Sequence, residues 1–220
     1  MGVRGAARAG GGVMDWRLPK GMTRMVLVRH GQPVEEMRGR CYGRLDVGLS
    51  SAGRLQAERA ARFLAEAPLL RIYTSPRQRA RESAAPLAEL KGMTVDTEAA
   101  FREIDFGLFE GLSYEEAEQR YPQVYAEWMA HPTRVRFPEG ESYPEMRERV
   151  LTAGRELRTR HAGETFVLVS HGGVNRTLLA EALGMPDANL FRMEQGYASV
   201  NIIDFYGDEP IVKLMNVTFG

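Results

Sequence analysis

The chain has 220 residues, enough for one ordinary domain with a large hydrophobic core. Its 29 Lys and Arg residues balance 29 Asp and Glu residues, so no global field directs it to nucleic acid or to an anionic membrane. A single cysteine, Cys41, excludes an intramolecular disulfide and a cysteine-cluster metal site. These features favour a cytoplasmic protein, and no apolar run is long enough to span a bilayer.

The first 23 residues differ in composition from the rest. Residues 1–20 are rich in Gly, Ala and Arg and lack the continuous apolar segment of a secretory signal. We therefore predict a flexible N-terminal tail over residues 1–23 and one domain over residues 24–220. A basic targeting or nucleic-acid-binding arm is the less favoured interpretation of the tail.

From residue 24 onward, apolar runs with strand character alternate with segments of helical periodicity. The predicted strands cover residues 25–28, 70–73, 165–169, 199–205 and 211–217. The predicted helices cover residues 51–66, 77–90, a long segment around 146–157, and 174–183. Pro86 should bend or shorten the second helix, and two more helices are expected over one end of the sheet, between residues 113 and 144. The alternation predicts a three-layer α/β/α sandwich with a mostly parallel central sheet.

Two histidines follow apolar strands, and each directly precedes a glycine. His30–Gly31 comes after the first strand and His171–Gly172 after the strongest one. The carboxyl ends of the strands form the ligand crevice of an open α/β sheet, and a glycine there lets the backbone approach a ligand closely. Either histidine alone is more often a hydrogen-bonded structural residue. Two equivalent elements in one chain instead predict a shared site.

Arginines lie near the same strand ends. Arg29 closes the first buried strand, where a charge needs an anionic partner. Arg77, Arg79 and Arg81 alternate near the start of a predicted helix, where the helix terminus and a guanidinium fork both favour phosphate. Two of these three are expected to be solvated, and spacing alone does not choose among them.

Five blocks, in order, resemble the histidine phosphatase superfamily, the phosphoglycerate-mutase-like enzymes. They are LVRHGQ at 27–32, GRLD followed by LSSAG within 43–53, SPRQRA at 75–80, REIDFGLFEG at 102–111 and VSHGG at 169–173. The resemblance runs from about residue 25 to the end of the chain and leaves out only the tail. It implies a phosphoglycerate-mutase-like fold for residues 24–220.

The resemblance also implies a role for each matching residue. Its implied catalytic residues are His30, Glu103, Arg29, Arg79 and His171. Its implied substrate-binding residues are Gln32, Tyr42, Gly43 and Gly172. His30 would attack phosphorus and hold a phosphohistidine, while Glu103 would protonate the leaving oxygen and then activate water. The implied substrate is a small phosphorylated metabolite, and no metal or cofactor is implied.

The chemistry of these residue types is consistent with such roles. Neutral imidazole is nucleophilic near neutral pH, and arginines with a second histidine can stabilise phosphoryl charge without a metal. Asp105 and Glu110 are rival carboxylates, and only the motif favours Glu103. Pro33 and Glu36 depart from the family, which often has Thr and Asn there. Glu36 would repel phosphate unless it points away.

Several alternatives remain open. The region around Glu103 resembles the phosphatases, and the chain lacks room for the long insertion of the mutases, so a phosphomonoesterase is favoured over a mutase-type phosphotransferase. The run RCYGRLD at 40–46 is similar to alpha-ribazole phosphatases. Two further candidate functions are a non-catalytic phosphate-binding module and a hydrolase that uses a histidine-bound metal.

Residues outside the motifs are interpreted as structural. His131 and His161 are expected on the surface, Cys41 in packing or in a pocket wall, and Trp128 over the core rather than in a nucleic-acid stacking platform. A homodimer is left open by the sequence.

Overall fold

The computed structural model describes residues 8–9 and 12–219. Its strands are β1 (Arg8–Ala9), β2 (Gly12–Val13), β3 (Met22–Arg29), β4 (Leu69–Thr74), β5 (Val95–Thr97), β6 (Thr165–Ser170), β7 (Val200–Tyr206) and β8 (Glu209–Val217). Its α-helices are α1 (Ser51–Phe63), α2 (Gln78–Lys91), α3 (Tyr114–Arg120), α4 (Pro122–Ala130), α5 (Tyr143–Arg160) and α6 (Gly172–Ala182). Every predicted strand and helix is present. The three-residue β5, too short for a sequence pattern, is an addition.

The central sheet has six strands in the order β5-β4-β6-β3-β7-β8. The pairs β5–β4, β4–β6 and β6–β3 are parallel, whereas β7 runs antiparallel to both β3 and β8. β1 and β2 form a separate antiparallel hairpin. The predicted, mostly parallel sheet is therefore confirmed, and its strongest strand, β6, lies near the centre.

Helices cover both faces of this sheet because successive strand side chains point in opposite directions. Met25 and Leu27 of β3 pack in a cluster with α5 and α6. Val26 and Val28 pack on the other face with α1 and α2. Ser50 caps α1, its side chain accepting a hydrogen bond from the backbone N–H of Gly53. The two clusters confirm the three-layer α/β/α sandwich.

A third, smaller cluster lies beneath α3 and α4. Phe109 and Phe137 are buried in it, and Trp128 packs against both rings. Cys41 is buried in the same cluster as a free thiol. Ile104 contacts this cluster and the one beneath α5 and α6, and so joins the helical cap to the main core. The predictions for Trp128 and Cys41 as packing residues are confirmed.

Pro86 does not shorten α2, which continues to Lys91, because Ala84 and Leu87 are buried against the sheet and their packing outweighs one lost backbone hydrogen bond. A bend at Pro86 stays a prediction. The prediction for His161 is wrong: it is 4% exposed, and its Nε2 and the Tyr73 hydroxyl are 2.8 Å apart in a hydrogen bond. His131 is exposed as predicted.

The predicted tail, residues 1–23, is partly docked. The Trp16 ring packs edge-on against Phe63 with centroids 5.5 Å apart, and β3 already begins at Met22. Burial of a large aromatic ring explains this attachment. Flexibility of residues 1–7 and 10–11 lies outside the described residues and stays a prediction. No helix of the described residues is long and apolar enough to cross a membrane.

Candidate active site

The two histidines lie side by side at one edge of the sheet. Arg29 of β3 pairs with Ser170 of β6, so the residues that follow them, His30 and His171, leave neighbouring parallel strands together. Their ring centroids are 5.3 Å apart. His30 is 2% exposed and His171 is fully buried. The two histidines therefore meet at the carboxyl ends of neighbouring strands, as the sequence predicted.

The surroundings of His30 keep its imidazole neutral and fix its tautomer. Burial lowers the pKa of His30 well below its usual value, and the positive charges of Arg79 and Arg29 lower it further. Its Nδ1 lies 2.7 Å from the carbonyl oxygen of Gly31. Because a carbonyl only accepts, Nδ1 carries the proton and Nε2 keeps its lone pair. A neutral imidazole with a free Nε2 is suited to nucleophilic attack.

Arg79 is completely buried beside this histidine. Its guanidinium donates to the carbonyl oxygens of Leu45 and Tyr42, both at 2.8 Å, and of Gly43 at 3.1 Å. Burial lowers the pKa of Arg79 to about 10. Arg29 donates in the same way to the carbonyl of Gln195. Both arginines are thereby held rigidly by backbone oxygens.

Polar atoms without partners gather at the histidine pair. The Nε atoms of Arg29, Arg77 and Arg79 and the Nδ1 of His171 are buried without a hydrogen-bond partner among the described residues. Unpaired buried N–H groups are costly, and they are typical of a site that awaits an anion. Among the three alternating arginines Arg79 is the fully buried one, Arg77 is half-buried with its Nε also unpaired in the described part of the chain, and Arg81 is exposed.

Ser75 orients His171, which is the N-cap of α6. The Ser75 Oγ and the His171 Nε2 are 2.6 Å apart. Burial lowers the pKa of His171 well below its usual value, and Arg79 and His30 contribute to the same effect. Sequence reasoning gave Ser75 no role, although it stands in the SPRQRA block.

Glu103 lies against the start of α6. Its Oε2 accepts a hydrogen bond from the backbone N–H of Gly173 at 3.0 Å. The rival carboxylates brace loops instead. Glu110 accepts the backbone N–H groups of Arg44, Leu45 and Phe106. Asp105 accepts the backbone N–H of Gly107 at 2.9 Å. Of the three, Glu103 is the one next to the residues that follow His171.

The four predicted substrate-binding residues differ in how they are placed relative to the two histidines. Tyr42 lies edge-on to His30 with ring centroids 6.3 Å apart, and Gly172 begins α6 directly after His171. Gly43 has no room for a side chain, because a Cβ would overlap the carbonyl of Ile104. Gln32 is different: its amide donates to Glu35 at 3.3 Å, so its side chain is engaged within its own loop.

The two departures from the family pattern lie in the loop after β3. Pro33 pairs with Leu49 in an isolated β-bridge, and Glu36 is exposed in a short 3₁₀ turn. An exposed carboxylate is screened by solvent, so Glu36 adds little repulsion.

Sequence reasoning missed two more residues at this site. The ring of Tyr197 lies over the Arg29 guanidinium, 4.2 Å from its Cζ, and its hydroxyl contacts that of Tyr42 at 3.2 Å. Arg176 of α6 is half-buried beside Gly172, and its Nε donates to the carbonyl of Met193 at 2.8 Å. Arg176 stands three residues after the VSHGG block, but a basic residue near a motif is too common to select it, and Tyr197 has no motif beside it.

Comparison with known proteins identifies the family. The profile of the "Histidine phosphatase superfamily (branch 1)" matches residues 25–218. The chain belongs to this superfamily. The "Phosphoserine phosphatase 1" of Hydrogenobacter thermophilus is 32% identical over 197 residues, covering 90% of this chain and 93% of that protein. A longer "Bifunctional protein" of Mycobacterium tuberculosis is 33% identical over 89% of this chain. The match covers 54% of that longer protein.

Two solved phosphatase structures share the fold of this chain. Mycobacterial glucosyl-3-phosphoglycerate phosphatase has a TM-score of 0.80 at 28% identity, with 89% of this chain and 99% of that chain covered. The alpha-ribazole phosphatase of Shigella flexneri has a TM-score of 0.81, with 88% and 96% covered, but its 22% identity makes this a likeness of fold alone.

These relatives identify the class of enzyme. The chain is a phosphoric monoester hydrolase of the histidine phosphatase type, as its motifs predicted. The described residues contain no group of three or more His, Cys, Asp or Glu side chains that could hold a metal ion. These residues therefore offer no set of ligands for the metal-hydrolase alternative.

Proposed function

We propose that the protein is a metal-independent phosphomonoesterase that acts through a phosphohistidine at His30, with Glu103 as general acid and base. One observation carries this proposal. The buried Nε–H groups of Arg29 and Arg79 have no partner among the described residues, and both arginines lie close enough to the neutral imidazole of His30 to lower its pKa. Rigid donors of this kind can bind phosphoryl oxygens and stabilise the charge that develops on them.

In the first step the Nε2 of His30 attacks phosphorus. The N–P bond forms as the ester P–O bond breaks, and the leaving oxygen takes its electron pair and a proton from Glu103. In the second step Glu103 takes a proton from water, whose oxygen attacks phosphorus. The N–P bond breaks, and His30 recovers its lone pair. Removing one charge-stabilising donor typically costs about a hundredfold or more in rate.

The substrate is proposed to be a small phosphorylated metabolite, since the balanced charge of the chain offers no extended basic surface for a polymer. The relatives suggest compounds for a first panel: phosphoserine and glucosyl-3-phosphoglycerate from their names. Alpha-ribazole phosphate joins the panel from the sequence resemblance at residues 40–46. A cytoplasmic location stays part of the proposal.

The test is phosphate release from this panel with a chelator present. We expect turnover that survives the chelator and is abolished in His30→Ala. The matched control His131→Ala alters an exposed histidine and should keep full activity. Rapid quenching at alkaline pH, where phosphohistidine is stable, should trap phosphate on the peptide that contains His30.

Other outcomes would favour the alternatives. Exchange of phosphate between two hydroxyls without net release would indicate a mutase. Binding of phosphate with neither release nor exchange would indicate a phosphate-binding module. Activity that the chelator removes would contradict the metal-independent mechanism.

A further inference from the structure

Two tyrosines flank the nucleophile. His30 is only 2% exposed, so its imidazole presents little surface to an ester while its neighbours stay in place. Among the aromatic rings within 6.5 Å of His30, that of His171 is buried, whereas those of Tyr42 and Tyr197 belong to half-buried residues. The two tyrosines are therefore the aromatic neighbours of His30 that reach solvent.

Each tyrosine also covers one of the site arginines. The ring of Tyr197 lies 4.2 Å from the Cζ of Arg29, and the ring of Tyr42 lies 5.1 Å from the Cζ of Arg79. Their hydroxyls meet at 3.2 Å across the site. A single hydrogen bond between two neutral hydroxyls holds them together, and such a contact can break and re-form easily.

The backbone around Tyr197 is fixed. The Ala198 N–H donates to the carbonyl of His30 at 3.1 Å, and Gly196 donates to the Asn216 side chain at 2.6 Å. Ala198 has a φ of 52°, a left-handed conformation that costs energy for a residue with a Cβ. Because these contacts hold the backbone on both sides of Tyr197, rotation of its side chain is the smallest movement available there.

We propose that Tyr197 is a specificity-determining residue that forms, with Tyr42, a gate over His30. The gate opens by rotation of the Tyr197 ring, and the opening limits the size of the leaving group. Compact phosphate esters are therefore the preferred class. This inference rests on the proposed phosphatase activity, but the gate itself can be measured without turnover.

The first test compares two aryl esters whose leaving groups have nearly equal acidity but different size, phenyl phosphate and 2-naphthyl phosphate. In Tyr197→Ala we expect the ratio of kcat/KM for naphthyl over phenyl to rise about tenfold, the range that pocket size commonly controls. Tyr197→Phe keeps the ring and should keep the ratio. Tyr206→Ala, an exposed tyrosine on the opposite end of the sheet, is the matched control and should also keep it.

The second test needs no turnover. Diethyl pyrocarbonate acylates accessible neutral imidazoles, and the labelling rate of His30 can be followed by mass spectrometry of its peptide. We expect slow labelling in the wild type, faster labelling in Tyr197→Phe, which lacks the hydroxyl contact, and the fastest in Tyr197→Ala. The exposed His131 serves as internal standard and should label equally in all variants. If Tyr197→Ala does not fold, Tyr197→Leu replaces it in both tests.

The two tests separate the gate from the phosphatase. An unchanged ester ratio together with unchanged His30 labelling, in a folded variant, overturns the gate. Faster labelling in a protein that hydrolyses neither ester supports the gate and counts against the proposed activity.

Discussion

The carboxylate of Glu103 occupies the space that a side chain at Gly173 would fill. Its Oε2 accepts the Gly173 N–H at 3.0 Å, and its Oε1 accepts the backbone N–H of Ile104, also at 3.0 Å. A Cβ on residue 173 would overlap Oε1. The second glycine of the VSHGG block therefore gives the proposed general acid its position beside α6.

This relationship predicts the effect of Gly173→Ala. The added methyl group should displace the flexible Glu103 side chain, so we expect little change in stability. The rate on alkyl phosphates should fall about a hundredfold, because their leaving oxygens need a proton. The rate on 4-nitrophenyl phosphate, whose leaving group needs none, should change much less. Equal losses on both esters would contradict a role of Gly173 in placing a general acid.

The site histidines should make stability depend on pH. The pKa values of His30 and His171 are lowered, chiefly by burial, whereas in the unfolded chain both titrate near about pH 6.5. Below that pH the unfolded state takes up protons that the folded state does not. The contribution of the neutral histidines is therefore complete above about pH 6.5 and is lost as the pH falls toward their folded-state pKa values.

We accordingly expect the free energy of unfolding, measured by urea titration, to fall between about pH 7 and pH 5. His30→Gln, which removes one of the two groups, should show a shallower fall. His131→Gln changes an exposed histidine and should keep the wild-type slope. Identical slopes for His30→Gln and the wild type would show that His30 does not contribute.

A buried ion pair near the start of β3, away from the histidines that follow its end, contributes to the stability of the fold and can be tested separately from the active site. The Arg24 guanidinium contacts both Asp204 oxygens, at 2.6 and 2.7 Å, and both side chains are 2% exposed. Asp204→Leu should cost about 3–5 kcal/mol because it leaves a buried charge unpaired. The double variant Arg24→Met with Asp204→Leu should recover most of that loss. Urea denaturation measures both, and a double variant no more stable than the single one would be the contrary result.

The sequence by itself determined the sheet and the meeting of the two histidines. The apolar runs of β3 and β6 each end in a His–Gly pair, and parallel neighbours present their carboxyl ends at the same edge. Local order along the chain was therefore enough to predict His30 beside His171. The five family blocks supplied the choice of Glu103 over its rivals, which spacing could not make.

Only the tertiary structure decided which side chains complete the site. The rotation of α2 against the sheet buries Arg79 and exposes Arg81, although the two stand in the same alternating run. Tyr197 reaches His30 because β7 pairs with β3, aligning Val200 with Val28 across more than 170 residues of chain. Contacts of this range leave no local pattern in a sequence, since they depend on how the strands are ordered and packed rather than on the neighbours of each residue.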